Sequence, residues 1–511
     1  MTSITVYDGS ETIGGNKIYV EEKGKGVFLD FGMNFAKYNV FYQEFLYDRG
    51  ARGIYDLISL NLIPKLKIYR KDLIPSDLDI STFPSLNVQA ILLSHAHMDH
   101  FGNMGLLDEK FPIIASPSTL MLLKGILDTS AAKIGSEVAY FSEKFPDNDD
   151  DRVLKADKSY TSKDLGRNFV CTNGFSGSFE DFISTSVKSR KQLEAGRICT
   201  IDDYLTPFEI KAFEVDHSIY GSTGYILEGD MTIAYTGDFR LHGKRAEKSK
   251  KFIKEAKDAS ILIIEGTRAS RKHINESEEI IFNNCLKVVE ESKGLVIADF
   301  SARNFERLEI FKEIASKVGR TLIITAKDAY LLKALEKADG VDRTKDILIY
   351  NELKARRYNW EKEYLKDEIG EEAYIDPTKI SSEPDNYLLC FSFYDMKHLL
   401  DIKPEYGTYV YSSSEAFEEE SEYDFIRLSK WIEAFNFKIY GYEILEQEGR
   451  EKPNFIKGYH ASGHVSQNEI RWAIETIDPD VIIPVHTDNP VWFRDNFDKA
   501  ILLKDGQTYR K

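Results

Sequence analysis

Positive charge, cysteine pairs and long apolar runs are what this chain of 511 residues has least of. Acidic residues outnumber basic ones by 84 to 67, for a formal charge of −17. That balance argues against wrapping long duplex nucleic acid by bulk electrostatics, so a polyanion would need a local basic groove. It is compatible with divalent cations, which are often the largest positive charges in their own sites. The four cysteines, Cys171, Cys199, Cys285 and Cys390, lie far apart and form no C-x-x-C pair. Neither a disulfide framework nor a thiolate zinc site is expected, and all four read as buried small hydrophobes. The amino-terminal MTSITVYDGSETIGGNKIYVEEKG has neither a basic start nor an apolar core, and no apolar run approaches the length that spans a bilayer. A cytoplasmic protein with no membrane partner is the expectation.

What is present suits globular packing. With 42% hydrophobic and 12% aromatic residues in a length beyond what one core usually serves, two or three domains are expected. Short apolar runs bounded by turn residues, KIYVEE, GVFLDFG, VQAILLS, PIIAS, EIKAFEVDH, TGYILEG, TIAYTGD and SILIIEG, predict strands. A helical reading of STLMLLKGILDTSAAKIGSEVAYF makes the first half sheets sandwiched by helices. From Gly294 strand and helix alternate: GLVIADFS before RNFERLEIFKEIASKVG, RTLIITA before KDAYLLKALEKA, then DILIYNE and YLLCFSF. That is the doubly wound parallel pattern. The polar stretch at about 135–207 reads as an insertion or elaborated loop.

Histidine is also scarce, ten in all, yet SHAHMDHFGNMG at 94–105 holds three of them with an aspartate. The segment begins where the strand VQAILLS stops. In an extended turn, residues two apart point the same way, so His95 and His97 can converge on one ion while Asp99 and His100 face a second. A buried histidine pair without metal is the plainer alternative, and four ligand-type residues in six positions weaken it. Other strand ends supply more: His217 in EVDHSIYG, Asp238 in YTGDFRLHG and His486 in IIPVHTDNP.

The order SHAHMDH, VDH, TGD and PVH resembles the metallo-β-lactamase fold. The resemblance implies an αββα sandwich with two zinc ions, manganese being an alternative. His95, His97 and His217 would hold one ion, Asp99, His100 and His486 the other, and Asp238 would bridge them. Asp30 in VFLDFGMNF matches the family's opening aspartate and would orient a ligand histidine through its other ring nitrogen. Two such ions suit an in-line displacement at a phosphodiester, but equally a lactam or thioester.

More than two hundred residues separate TGDFRLHG from PVHTDNP, flanked by Glu265 in SILIIEGT and by His460, Ser462 and His464 in GYHASGHVSQNEI. This layout resembles the β-CASP branch of nucleases, most of all the ribonuclease J family. The implied division is 1–266 for the first part of the metal domain, 267–455 for an inserted doubly wound α/β domain, and 456–511 for the completing part. Asp99, Asp238, Glu265 and His464 would carry the catalysis, with His464, held protonated by Glu265, either donating a proton to the leaving oxygen or stabilising charge on the phosphoryl oxygens. His460 and Ser462 would receive a phosphate at a helix start. Where the family has a Gly-Ser-Gln-Gly-Glu type segment this chain has YVYSSSEAFEEESEYDF, so Ser412, Ser413 and Ser414 would replace it as phosphate binders. The basic runs TRASRKH, HGKRAEKSKK and ELKARRYNW are candidate substrate contacts.

The expectation is a zinc-dependent hydrolase acting on RNA as a 5′-to-3′ exonuclease, an endonuclease or both. Single-stranded RNA with a 5′-monophosphate end and a second copy of the chain are the expected partners. A DNA nuclease of the Artemis type, another hydrolase of the same fold and a non-catalytic RNA-processing scaffold stay open as alternatives.

Overall fold

The computed structural model describes the chain except for residues 44, 132, 158, 160, 188–190, 272–275, 302, 414–418 and 448, and the side chains of 419–422. The apolar runs of the first half form two facing sheets. One has eight strands in the order Ile198–Thr200, Phe169–Cys171, Ile113–Ala115, Val88–Leu92, Lys25–Leu29, Lys17–Glu22, Thr2–Asp8 and Gln507–Arg510. The other has five, Glu209–Glu214, Thr223–Glu228, Thr232–Tyr235, Ile261–Glu265 and Val481–Val485. Alternate side chains, among them Val20, Leu29, Leu92, Tyr235, Ile263 and Ile483, are fully buried between them. Each such side chain contributes about 1.5–3 kcal/mol by leaving water.

The sandwich closes only with residues from the far end of the chain. Val481–Val485 pairs in parallel with Ile261–Glu265, setting Glu265 beside Val485 and bringing His486 to the same sheet end. Between those two strands in sequence lies a seven-stranded, wholly parallel sheet. Its order is Tyr374–Ile375, Ile347–Tyr350, Thr321–Ile324, Tyr387–Cys390, Leu295–Asp299, Gly407–Tyr411 and Phe437–Tyr440. The strands read as nearly continuous apolar runs because helices cover both faces of such a sheet.

Helix packing fixes this second sheet to the sandwich. Pro117–Thr129, capped by Ser116, lies against Ala326–Asp339, capped by Thr325. Gly125 permits the approach, since a Cβ there would stand 2.9 Å from Leu331 Cδ2. Below it, buried Asp128 accepts from Lys124 Nζ at 2.6 Å, Tyr140 Oη at 2.7 Å and Tyr330 Oη at 2.8 Å, so one carboxylate ties both units together.

Three readings change. The helix expected through 118–141 ends at Thr129, and the chain then turns back so that Gly135 packs on the Gly102 carbonyl, where a Cβ would be 2.4 Å away. The stretch at 135–207 is not only a loop. Phe169–Cys171 and Ile198–Thr200 add parallel strands to the eight-stranded sheet, beside small two- and three-stranded sheets. Cys171, Cys285 and Cys390 are buried, whereas Cys199, on the edge strand, is only half-buried; all four thiols are free. No helix among the described residues is long and apolar enough to cross a membrane.

Candidate metal centre

The ligand-type residues stand beyond the ends of the sandwich strands, on loops and, for Asp99 and His100, on the short helix Met98–Phe101, and several residues around them hold backbone conformations that a sheet interior would not allow. Asp30 has φ 57°, Gly237 φ 53° and His486 φ 52°. For the two non-glycine residues the left-handed conformation costs of order 1–3 kcal/mol, which the surrounding hydrogen bonds must offset. Gly32 lets the motif loop lie directly on the Asp30 turn, since a Cβ there would overlap the Asp99 carbonyl at 1.6 Å.

His95, His97 and His217 form one group. His97 Nδ1 is 3.0 Å from His95 Nε2 and 3.2 Å from His217 Nε2. His217 Nδ1 donates to the Gly463 carbonyl at 2.6 Å, which leaves Nε2 unprotonated and facing its neighbours. Burial pushes the His95 and His217 rings well below the ordinary histidine range, aided by the neighbouring histidines, and burial takes His97 down to about 3. Three neutral rings with converging nitrogens are a cation's ligand set.

Asp99, His100, Asp238 and His486 form the second group, with all donor atoms within 4.8 Å of one another. His100 Nε2 lies 3.1 Å from Asp238 Oδ2, and His486 Nε2 lies 3.1 Å from Asp99 Oδ2. Asp238 Oδ2 also lies 3.7 Å from His95 Nε2, between the two groups, while its buried Oδ1 has no hydrogen-bond partner. An orphaned carboxylate oxygen at that depth is costly unless a cation takes it. Burial opposes charge on His100, but Asp238, Asp99 and Asp30 outweigh it and raise its pKa well above the ordinary value. The field there favours positive charge, so the residues present fit two divalent ions.

A ring of hydrogen bonds orients these side chains. Asp30 Oδ2 accepts from His100 Nδ1 at 2.7 Å, Ser94 Oγ at 2.7 Å and Tyr235 Oη at 2.6 Å, and its Oδ1 accepts from the Ser94 amide at 2.7 Å. Thr267 Oγ1 lies 2.9 Å from His486 Nδ1 and donates to Glu265 Oε2 at 2.7 Å. Glu265 in turn lies 2.9 Å from His464 Nδ1 and accepts the Phe239 amide, next to Asp238, at 2.9 Å. Burial disfavours a charged His464, yet Glu265 and Asp238 prevail and lift it to about 9. Ser94, Tyr235 and Thr267 escape a reading of the sequence because hydroxyl residues are common; their adjacency to the motifs is the only signal.

The expected phosphate binders divide. Ser462 is half-buried beside His464, whose amide donates to its Oγ at 3.1 Å. His460 is buried with Nδ1 2.9 Å from the Ser413 carbonyl and Nε2 2.5 Å from the Gly441 carbonyl, so it has no ring nitrogen left for a phosphate. Ser412 is buried and takes up Arg307 at 2.5 Å and the Tyr459 carbonyl at 2.8 Å. Ser413 is half-buried, and Ser414 lies outside the described residues. The basic runs turn largely to acids: Arg245 and Lys248 pair with Glu214, and Lys354 and Arg357 with Glu361. Lys272 and His273, the last two residues of TRASRKH, lie outside the described residues.

Residues 64–152 match the metallo-beta-lactamase superfamily. Ribonuclease J of Methanocaldococcus jannaschii is 24% identical over 501 residues, 95% of this chain and 91% of that protein. Ribonuclease J of Pyrococcus abyssi is 22% identical over 513 residues, with 95% and 90% covered. Against ribonuclease J of Thermus thermophilus the identity is 22% over 445 residues, and the chain spans 64% of that protein's length. A crystal structure of a protein of unknown function from Enterococcus faecalis superimposes with a TM-score of 0.67 at 20% identity over 99% of both chains, a likeness of fold. The chain thus has a metallo-β-lactamase fold with an inserted doubly wound α/β domain of the β-CASP type, and it resembles ribonuclease J.

Proposed function

We propose that the chain is a metal-dependent ribonuclease hydrolysing phosphodiester bonds of single-stranded RNA in the cytoplasm. The observation that carries the reading is the position of Asp238 between two ligand groups, with the His464–Glu265 pair beside it, His464 Nδ1 lying 3.8 Å from its Oδ2. His95, His97 and His217 would hold one zinc or manganese ion, Asp99, His100 and His486 the second, with Asp238 shared. Such ions, when bound, acidify water and neutralise charge on a phosphodiester.

The chain's own groups do the rest. Glu265 keeps His464 Nδ1 protonated, which leaves the positive ring to face the leaving oxygen and donate the proton it needs. Asp30 and Thr267 hold the rings of His100 and His486 in orientation. Ser462 and Ser413 remain the serines of the proposed phosphate site, whereas His460 and Ser412 are spent on internal hydrogen bonds. A 5′-to-3′ exonuclease on 5′-monophosphate ends, an added endonuclease mode and a homodimer belong to the same proposal, supported by the likeness to ribonuclease J.

The test incubates zinc- or manganese-loaded protein with 5′-monophosphate RNA, 5′-triphosphate RNA, DNA of the same sequence and a chromogenic lactam. RNA shortened stepwise from a monophosphate end supports the exonuclease. Cleavage of DNA or lactam with RNA left intact would overturn the ribonuclease reading.

A further inference from the structure

The parallel sheet presents a second set of groups toward the metal loop. Its strands Thr321–Ile324, Tyr387–Cys390 and Leu295–Asp299 are neighbours, and each releases a short loop at its carboxyl end, the edge at which open α/β sheets take ligands. Arg303 leaves the third of these. Half-buried, its Nη1 donates to the Ala96 carbonyl at 3.3 Å, the peptide between His95 and His97. Lys327 leaves the first, exposed on the opening turn of Ala326–Asp339. Tyr394 leaves the second with 79% of its surface exposed.

Neither cation has a carboxylate within ion-pair distance among the described residues, unlike the basic runs named above. In a chain of charge −17 that is a specific arrangement. Each lies within electrostatic reach of the other or of the centre. The protein packed around its stem and then the Arg303 charge lower the ammonium of Lys327, whose side chain still reaches solvent, against the pull of Asp328 and Asp395, while burial lowers Arg303 against the opposing pull of Asp99. The acids on this edge also have hydrogen-bond partners of their own, Asp299 in Tyr409, Asp328 in Thr325, and Asp395 in Ser392, and none of them stands within ion-pair distance of either cation.

Resting on the ribonuclease reading, we propose that Arg303, Lys327 and Tyr394 form a subsite that anchors single-stranded RNA beyond the bond being cut. The two cations take successive backbone phosphates and the tyrosine ring stacks on a base. The strand then enters the centre from the Asp99 side, over the Arg303–Ala96 contact.

The experiment measures binding of a fluorescent, nuclease-resistant phosphorothioate oligouridylate to the zinc-loaded full chain over a salt series. Lys327→Gln and Arg303→Gln should each reduce the slope of log affinity against log salt by about 0.7, the value for one contact with a single strand. Arg303→Lys should restore the slope. Tyr394→Ala should weaken binding by roughly fivefold to a hundredfold with little change of slope. Lys430→Gln, on the exposed face of Glu419–Ala434, should match the wild type. Because Lys327 is exposed, its variant keeps the test valid if Arg303→Gln folds poorly. Wild-type slopes in both glutamine variants, from a protein that binds and cleaves RNA, would overturn the subsite and leave the ribonuclease reading standing. A wild type that neither binds nor cleaves the strand overturns both.

Discussion

Asp30 Oδ2 lies 2.7 Å from His100 Nδ1, and both side chains are wholly buried. The aspartate directly follows the strand Lys25–Leu29 and the histidine stands on the short helix Met98–Phe101 after the neighbouring strand Val88–Leu92, so sheet register helps aim Nε2 of His100 at Asp238. Asp30→Asn keeps the volume but loses the charge that fixes the tautomer. Affinity for one of two divalent ions should fall by roughly 10- to 100-fold, read by calorimetric titration of the metal-free protein.

Asp238 Oδ2 lies between the two ligand groups, 3.1 Å from His100 Nε2 and 3.7 Å from His95 Nε2. Asp238→Ala should lower the bound metal to one ion per chain or fewer after dialysis, measured by elemental analysis. Thermal unfolding should lose most of its dependence on added zinc, because binding to the native state alone is what raises the midpoint.

Asp128 should matter for stability and not for metal. Its carboxylate is shared by Lys124, Tyr140 and Tyr330 across the packed helices. Asp128→Ala leaves a buried ammonium and two hydroxyls without their acceptor, and should cost about 3–5 kcal/mol in denaturant unfolding. Metal content per folded chain should be unchanged.

Two acids at the carboxyl edge of the parallel sheet give the protein a pH dependence. Burial raises Asp299 from 3.8 to about 7, against the hydrogen bond that Tyr409 donates, and burial raises Asp328 to about 7 as well. A raised folded-state pKa means that the native protein binds the proton more tightly than the unfolded chain. The contribution is therefore full below about 3.8 and is lost as pH rises through 7. Stability should decline from about pH 4 to about pH 7 and level off above that, and Asp299→Asn should flatten part of that slope.

The metal motifs were legible because each sits where an apolar run stops: His95 after VQAILLS, Asp238 after TIAYTG, His486 after VIIPV. Strand ends converge on one side of a sandwich, so residues far apart in number become neighbours in space. The doubly wound sheet was legible for the same reason, its runs being uniformly apolar. What was not legible depends on partners that only the fold supplies. His460 looked available until Ser413 and Gly441 brought carbonyls to both its nitrogens. Thr267 gained its place because Val481–Val485 pairs beside Ile261–Glu265 and delivers His486 to it. The stretch at 135–207 is polar in sequence, yet Phe169 and Val170 are buried as sheet residues.

Single-turnover cleavage of 5′-monophosphate single-stranded RNA decides whether a two-ion centre and a protonated His464 together cut RNA. Wild type and His464→Ala are compared, each shown to carry the same zinc content. Cleavage by the wild type is expected, with a rate slower by roughly 10²- to 10⁴-fold in the variant, the usual worth of a positioned proton donor. Intact RNA with fully loaded wild type, or equal rates in the two proteins, would contradict that joint role.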